Sequence, residues 1–321
     1  LATPQQQTEL NQLQMAIQAA EEELHHLAEN VAGKWDQWLV SNSDAESSAG
    51  SDVAVSSQFD SRQVLDVWLD DSLPLGASGS NTSRNAERWV SGPDAQSPMG
   101  NRALSMSYGD YHEQKINGGL VPRVIPEGAV VEFWIHVDPL HPPRAVLLEL
   151  GTNNGTRRFA FGDVALLGRG KFDHGDNVRL GDLPPAGEWT RVEISAEQLN
   201  LKAGTQVPNL TLAQFGGIVW WDGLCVRGLR PAASDPRESL SDWREYTRGK
   251  DIPVVPRSVA DELRKPADQV PDESEGMLFQ IRTQFVKHIA RQVPTELARK
   301  RSRWQRLQEA RIALDSTIPV T

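Results

Sequence analysis

The sequence predicts a mainly β protein with helical flanks, in which an antiparallel β-sandwich is inserted into an antiparallel helical stalk. Near both ends of the chain, apolar residues recur at alternating steps of three and four, as in helices with one buried stripe. From about residue 64 to 230 the apolar period is two, and Gly, Pro, Asn and Asp punctuate the segments. Because no helical stretch separates these short strands, a two-sheet sandwich is the favoured arrangement.

The first element is a helix over about residues 5–39. One seam of apolar residues is predicted along it: Leu10, Leu13, Ile17, Ala20, Leu24, Leu27, Val31 and Trp38. Lys34 falls where the seam needs an apolar residue, and the neighbouring Trp35 is expected to replace it. A helix with a single apolar stripe must bury that stripe against another element.

The expected partner lies at the other end of the chain. Two helical segments are predicted there, separated by Pro294, and their apolar positions are Leu278, Ile281, Phe285, Ile289, Leu297, Trp304, Leu307 and Leu314. The basic stretch "ARKRSRWQR" would complement the acidic Glu21, Glu22 and Glu23 in an antiparallel pair. The same periodicity also allows the two ends to pack separately on the central domain.

These segments divide the chain into three regions. Residues 1–52 are expected to hold the first stalk helix and the loop "SNSDAESSAGSD", which ends it. Residues 53–232 are expected to form the sandwich, and residues 233–321 the C-terminal helical region that pairs with the first helix. A sandwich can be inserted into a helical hairpin because its two ends commonly lie close together.

Composition argues against several classes of partner and site. With 33 Lys and Arg against 43 Asp and Glu, the formal net charge of -10 makes nucleic acid an unexpected partner. No apolar run approaches the ~20 residues of a membrane span. The single cysteine, Cys225, excludes an internal disulfide and a cysteine zinc cluster, and no C-x-x-C-H motif is present to attach haem.

Alternation of side chains suggests a sugar-binding face. In "VVEFWIHVD", Trp134 and His136 lie opposite the apolar residues that form the core. An indole can stack on the apolar face of a pyranose ring, and charged groups can bond its hydroxyls. The candidate contacts are Trp68, Trp134, His136, Arg158 and Trp221. The alternative, which is favoured because Trp is mostly buried, is that these tryptophans pack beneath rim loops or against the stalk.

Three aspartates form a second hypothesis. Asp70, Asp71 and Asp222 could hold Ca²⁺ with help from backbone carbonyls, or they could simply accept hydrogen bonds from turn amides. Catalysis has less support: Glu132 and Glu149 could pair across strands as glycosidase carboxylates, but no motif marks them. The chain is therefore not expected to be an enzyme.

Several strings resemble one group of proteins in order along the chain. They are "DDSLPLGA" (70–77), "VEFWIHVDPLHPPRAVLLEL" (131–150), "GDLPPAGEWTRVEI" (181–194), "FGGIVWWDGL" (215–224) and "LDSTIPVT" (314–321). They are similar to strings in the planctomycete-type cytochrome c proteins, in which haem-binding segments accompany two domains of unknown function. Members often have "RAYWG" where this chain has "RFAFG", so Phe161 stands in place of a tryptophan.

The resemblance implies a jelly-roll or concanavalin-like, carbohydrate-binding sandwich located between those two domains. It also implies an extracytoplasmic location, periplasmic or at the cell surface. On this basis we expect a non-catalytic glycan-binding module of a larger exported multidomain protein. Its expected partners are a polysaccharide or cell-surface glycan and the other domains of the parent. The alternative is a structural spacer or protein-docking module, and a sandwich glycosidase is less favoured.

Overall fold

The computed structural model describes residues 2–35, 37, 63–81, 87–90, 97–107, 109–172, 175–250, 252, 254–266, 274–316 and 318. The Ser/Asp-rich loop predicted at 41–52 and the seam residue Trp38 lie outside this set. The chain divides into two compact units, residues 62–233 and residues 1–61 together with 234–321. Within the described ranges, no helix has both the length and the apolar character needed to cross a bilayer.

The first unit contains two sheets, as the two-residue period predicts. Sheet A consists of β1 (Val64–Leu69), β3 (Glu87–Val90), β4 (Ala103–Ser107), β6 (Val130–Val137), β10 (Trp189–Ile194) and β12 (Ile218–Gly228). Its strand order is β10-β6-β12-β4-β3, and all its pairs are antiparallel. β12 is the long central strand: its first half pairs with β4 and its second half with β1.

Sheet B also has six strands. They are β2 (Ala77–Asn81), β5 (Tyr111–Gly118), β7 (Ala145–Thr152), β8 (Gly155–Gly162), β9 (Asn177–Gly181) and β11 (Asn209–Phe215). The order is β2-β5-β11-β7-β8-β9, and β8 and β9 run parallel. The sandwich is therefore mainly antiparallel, with one parallel pair at the edge of sheet B.

One apolar layer fills the space between the sheets. The predicted alternation in β6 is confirmed: Val131, Phe133, Ile135 and Val137 are all buried. Phe133 packs against Trp221 of β12, with 5.5 Å between ring centroids. The opposite layer comes from sheet B, including Leu148, Phe159 and Leu212. Each buried aromatic or aliphatic side chain contributes about 2 kcal/mol to folding.

Two β-bulges change which face a residue occupies. β1 shifts register between Val67 and Leu69, and β12 shifts between Asp222 and Cys225. A bulge adds one residue to one strand, so the in-and-out alternation reverses beyond it. Gly223 lies in the β12 bulge at φ 56°, where an added Cβ would approach Met99 Sδ to 3.0 Å. Only glycine fits this backbone conformation without strain.

The second unit is helical. Its helices are α1 (Pro4–Ala32), α3 (Leu240–Thr247), α4 (Arg257–Leu263), α5 (Glu275–Gln284) and α6 (Thr295–Ser316); α2 (Ala196–Leu199) is a single turn in the sandwich. A capping box starts α1, because the Thr3 hydroxyl accepts from Gln6 N–H and the Gln6 side chain accepts from Thr3 N–H.

Helices α1 and α6 run antiparallel. Arg311 donates to Gln14, and Lys300 to Glu23, so residue numbers rise along one helix as they fall along the other. The buried residues of α1 are Ile17, Ala20, Leu24, Ala28 and Ala32. After Leu24 the buried residues are spaced by four, at Ala28 and Ala32. A heptad seam would instead bury Leu27 and Val31, but both are only half-buried. Trp35 is buried against Phe285, as expected from the exposed Lys34.

A buried histidine lies in the π-helical turn Phe285–Ile289 that follows α5. His288 is 2% exposed, its ring centroid is 5.1 Å from that of Trp304, and neither ring nitrogen has a hydrogen-bond partner in the described part of the chain. Burial lowers the pKa of His288 well below its ordinary value, and the charges of Lys287, Arg301 and His25 lower it further. The folded protein therefore holds this imidazole neutral.

The helical unit should consequently lose stability in mild acid. Below the unfolded-state pKa of ~6.5, His288 becomes protonated in the unfolded chain but stays neutral in the folded protein. Because only the unfolded state binds this proton, unfolding is favoured by about 2 kcal/mol at pH 5. Urea unfolding followed by circular dichroism at 222 nm should show that His288→Phe loses less stability than wild type between pH 7.5 and 5. His26→Phe, at an exposed position on α1, is the control. An identical pH dependence in wild type and His288→Phe would contradict the assignment.

Candidate functional site

Four aromatic residues gather on the outer face of sheet A, and we call them the indole face: Trp134, His136, Trp189 and Trp220. Trp189 of β10, His136 of β6 and Trp220 of β12 are directly paired across three adjacent strands. The His136 ring lies 5.5 Å from Trp189 and 5.3 Å from Trp220, edge to face in both cases. His136 is 5% exposed, whereas the three indoles are only half-buried.

His136 is polar but largely enclosed. Its Nδ1 has no hydrogen-bond partner among the residues described. An unsatisfied buried nitrogen costs free energy, so a hydrogen-bond donor or acceptor that reached this nitrogen would be favoured. Trp134 lies two residues earlier on the same strand and therefore on the same face. Its Cδ1 would be 3.3 Å from a Cβ at Gly223, so the bulge brings the backbone of β12 close to this indole.

A network of charged residues adjoins the indole face. Arg191 donates two hydrogen bonds to Glu132, from Nε at 2.8 Å and from Nη2 at 2.6 Å. Arg227 bonds Glu132 at 3.2 Å and Glu193 at 3.1 Å. The hydrogen bond from Arg191 lowers the pKa of Glu132, so this carboxyl stays ionised at neutral pH. The face therefore combines apolar rings with fixed hydrogen-bonding charges.

Two of the predicted sugar contacts are wrong. Trp68 and Trp221 are each 2% exposed and belong to the core between the sheets, so neither can stack on a ligand. In β1 the exposed residues are Leu65 and Val67, and Trp68 enters the core on the same face as Val64. The bulge after Val67 then brings Leu69 into the core as well. In β12 the register makes Trp221 the core residue and Trp220 the outward one, which decides between the adjacent tryptophans of "GGIVWWDG".

The remaining predicted contacts do not form one site. Trp134 and His136 lie together on sheet A. Arg158 lies on the outer face of sheet B, where it donates to Glu149 at 2.7 Å. The two carboxylates considered for glycosidase chemistry are separated in the same way, because Glu132 is on sheet A and Glu149 on sheet B. They cannot flank one glycosidic bond across a cleft.

The outer face of sheet B has a polar row that crosses five strands. The residues of the polar row, paired in register from β5 to β9, are Lys115, Thr211, Glu149, Arg158 and Asn177. Arg158 bonds Glu149 on one side and Asn177, at 3.3 Å, on the other. Neighbouring strands thus present complementary groups directly opposite each other, which stabilises the pairing.

A segment that we call the strap, residues 163–172, covers part of this face. Leu167 and Phe172 are buried against small and apolar side chains of sheet B, namely Ala145, Leu147, Ala160 and Ala213. Arg169 of the strap bonds both the Tyr111 hydroxyl, at 2.7 Å, and Glu113. The strap therefore lies along one side of the polar row and is fixed by both apolar and charged contacts.

Two of the three aspartates proposed to hold Ca²⁺, Asp71 and Asp222, accept hydrogen bonds from backbone amides. Asp71 Oδ1 accepts from Asn101 N–H at 2.6 Å and Arg102 N–H at 2.7 Å. Asp222, which is buried, accepts from Met99 N–H and the Ser97 hydroxyl, each at 2.9 Å. Burial nevertheless raises the pKa of Asp222 above its ordinary value. Asp70 is half-buried, and no group of three or more His, Cys, Asp or Glu is placed for a metal in the described part of the structure.

The single cysteine behaves as an apolar residue. Cys225 is buried in β12, and burial raises the pKa of its thiol to about 11. The reactive thiolate is therefore scarce at neutral pH, as its apolar sequence context indicates.

Several residues of these faces were not among the contacts predicted from the sequence. Trp189 could have been found, because the inward Val192 and Ile194 of "WTRVEI" place the alternate residues Trp189, Arg191 and Glu193 on the outward face. Tyr111 and Glu113 were harder to find, because the inward residues beside them, His112 and Gln114, are polar. Arg169 had no such signal: its position depends on how the strap crosses the sheet.

Comparisons with known proteins return structural likenesses alone. No family model matches the chain, and no curated protein matches it. The carbohydrate-binding module TmCBM61 in complex with β-1,4-galactotriose is 14% identical, with 49% of this chain and 89% of that chain covered and a TM-score of 0.30. A family 11 carbohydrate-binding module from Clostridium thermocellum, in complex with a mixed-linked tetrasaccharide, is 12% identical (coverage 52% and 97%, TM-score 0.31). A family 29 module complexed with cellulohexaose is 11% identical (54% and 95%, 0.30).

The amide contacts of Asp71 predict a stability effect. Asp71→Ala should lower the free energy of unfolding by about 1.5 kcal/mol, because two backbone amides lose a charged acceptor. Urea unfolding followed by tryptophan fluorescence measures this change. Asp182→Ala, at an exposed position where the carboxylate pairs with Arg179, should cost less than about 0.5 kcal/mol. Equal effects of the two substitutions would show that Asp71 does not anchor residues 101 and 102.

Proposed function

We propose that the sandwich is a non-catalytic glycan-binding module and that the indole face binds the sugar. The observation that carries the proposal is the arrangement of Trp189 and Trp220 on either side of His136, with all three indoles half-buried on one outer face. The apolar C–H face of a pyranose ring stacks on indole, and this contact needs an aromatic surface that solvent can reach. The core tryptophans offer no such surface.

The geometry suits a chain of sugar rings more than a single ring. Trp189 and Trp220 lie two strands apart, which corresponds to about 10 Å across the sheet. A linear polysaccharide lying across the strands could therefore place successive sugar units over different indoles. Arg191 and Trp134 are paired in the next row of the same face. The charged network would then donate to and accept from hydroxyl groups at the edge of the rings.

The same face gives little support to catalysis. Glu132 is bonded by both Arg191 and Arg227, and its lowered pKa is the opposite of what a general acid requires. Its proposed partner, Glu149, is on the other sheet. Binding without bond cleavage is therefore the function that the indole face supports.

The wider context is also part of the proposal. The sequence resemblance supports a place in a larger exported protein of the planctomycete cytochrome c type, outside the cytoplasm, with the terminal helices acting as the stalk. Haem would be carried by other segments of that parent.

Ca²⁺ at Asp70, Asp71 and Asp222 stays a prediction. A rise in melting temperature on adding Ca²⁺ to chelator-treated protein, which is lost in Asp71→Asn, would support it. The alternative function is a structural spacer or protein-docking module.

Substitution of the outward tryptophans tests the function. Affinity electrophoresis against a panel of neutral and acidic polysaccharides should identify at least one that retards the protein. If the retarding polysaccharide is neutral, Trp220→Ala and Trp189→Ala should each weaken its binding about tenfold, or about 1.4 kcal/mol, because a stacking surface is lost. Phe279→Ala is the matched control, since Phe279 is an exposed aromatic residue of the helical unit.

The outcomes separate the two functions. Retention that falls for both tryptophan variants and not for Phe279→Ala supports glycan binding at the indole face. No retention on any polysaccharide, with circular dichroism showing folded protein, would favour the spacer or docking alternative.

A further inference from the structure

The second outer face of the sandwich carries a local surplus of positive charge. The polar row and the strap together contain four cations: Lys115, Arg158, Arg169 and Lys171. Two carboxylates, Glu113 and Glu149, lie among them. The strap's own carboxylate, Asp163, is neutralised by Arg144 at 3.1 Å. The surplus is two positive charges, on a chain whose formal net charge is -10. The negative net charge of the chain repels anions overall, but a cationic patch on its surface attracts them locally.

The two carboxylates are already satisfied by the protein's own donors. Glu113 accepts from the Tyr111 hydroxyl at 2.7 Å, pairs with Lys115 at 2.9 Å and contacts Arg169. Burial alone would raise the pKa of Glu113, but these hydrogen bonds and charges outweigh it and lower the pKa. Glu149 is bonded by Arg158. Neither carboxylate is available to repel a ligand strongly or to bind a second cation.

The face is open on the side of the polar row away from the strap. The next row of sheet B contains the small polar residues Asn117, Asn209, Gly151 and Thr156. Asn209 is exposed, and the others are half-buried. Lys115 keeps 45% of its side chain exposed, and Lys171 is exposed. We call Asn117, Asn209, Gly151 and Thr156 the shelf, because their amide and hydroxyl groups form a surface that these cations border.

The spacing of the cations indicates the kind of anion. Lys115 and Arg158 lie three strands apart, or about 14 Å along the row. A nucleic acid carries one charge per ~1.7 Å of duplex and would meet far too few cations here. A polymer with widely spaced charges and many hydroxyl groups matches both the sparse cations and the amides between them.

We propose that the polar row and its shelf form a second binding site, for an acidic polysaccharide whose sugars carry carboxylate or sulfate groups. Lys115, Lys171 and the Arg158 guanidinium attract the acidic groups, and Asn117, Asn209 and Thr156 bond the hydroxyls. The site does not depend on the indole face, because the two lie on opposite sides of the sandwich core.

Isothermal titration with polygalacturonate tests the site, with its fully methyl-esterified form as the matched neutral ligand. The ester keeps the rings and linkages but removes the charge, so it should bind at least tenfold more weakly. Binding of the acid form should weaken as salt rises from 50 to 300 mM. The double substitution Lys115→Gln with Lys171→Gln should raise Kd about fivefold. Lys34→Gln with Lys202→Gln, two exposed lysines elsewhere, makes the same change in net charge and should alter Kd less than twofold.

Further ligands and one further variant distinguish the alternatives. Binding of dextran sulfate in place of polygalacturonate, with the same loss in the Lys115/Lys171 variant, supports the acidic class and assigns the charged group as sulfate. Trp220→Ala should leave acidic binding unchanged, so failure of the neutral-glycan proposal would not affect this result. Equal affinity for the acid and its ester, equal affinity for inorganic polyphosphate, or no binding of either acidic polysaccharide would each overturn the proposal.

Discussion

The packing of two sheets over one apolar layer is the constraint on which the rest of the structure depends. Side chains alternate along a strand, so each residue that enters the layer forces its neighbours outward. In β12, Val219 and Trp221 enter the layer and Trp220 is therefore placed outside. A slip of one residue would exchange the two tryptophans, expose the partner of Phe133 and cost several kcal/mol.

This constraint leaves two outer faces, and they differ in chemistry. On sheet A the outward positions hold indoles, one enclosed histidine and paired charges. On sheet B they hold cations, amides and alanines, and the alanines leave room for the strap to lie against the sheet. Each face is assembled from segments far apart in the chain, as Trp189, His136 and Trp220 show. Folding of the whole sandwich is therefore required before either face exists.

Much of the fold follows from periodicity, because a two-residue or helical repeat is a local property that one strand or helix shows alone. The sandwich, the terminal helices and the core side of β6 were predictable for this reason. The faces of Trp68 and Trp221 were not, because both faces of β1 and β12 carry apolar residues and the pairing with neighbouring strands decides which face turns inward. The heptad seam of α1 failed similarly: Ala28 and Ala32 are small enough to be buried against the neighbouring helices in place of Leu27 and Val31. The polar row could not be foreseen, since its five residues are neighbours only after five strands pair.

We propose that a sugar contacts the outward indoles of sheet A and does not contact the core indoles Trp68 and Trp221. The most direct measurement is a titration of ¹⁵N-labelled protein with a retained neutral oligosaccharide, following the indole Nε1–H resonances by NMR. Binding on the indole face should shift the signals of Trp134, Trp189 and Trp220 in a saturable way while those of Trp68 and Trp221 stay in place. Shifts confined to the core tryptophans, or no shift in any outward indole at saturating ligand, would contradict it.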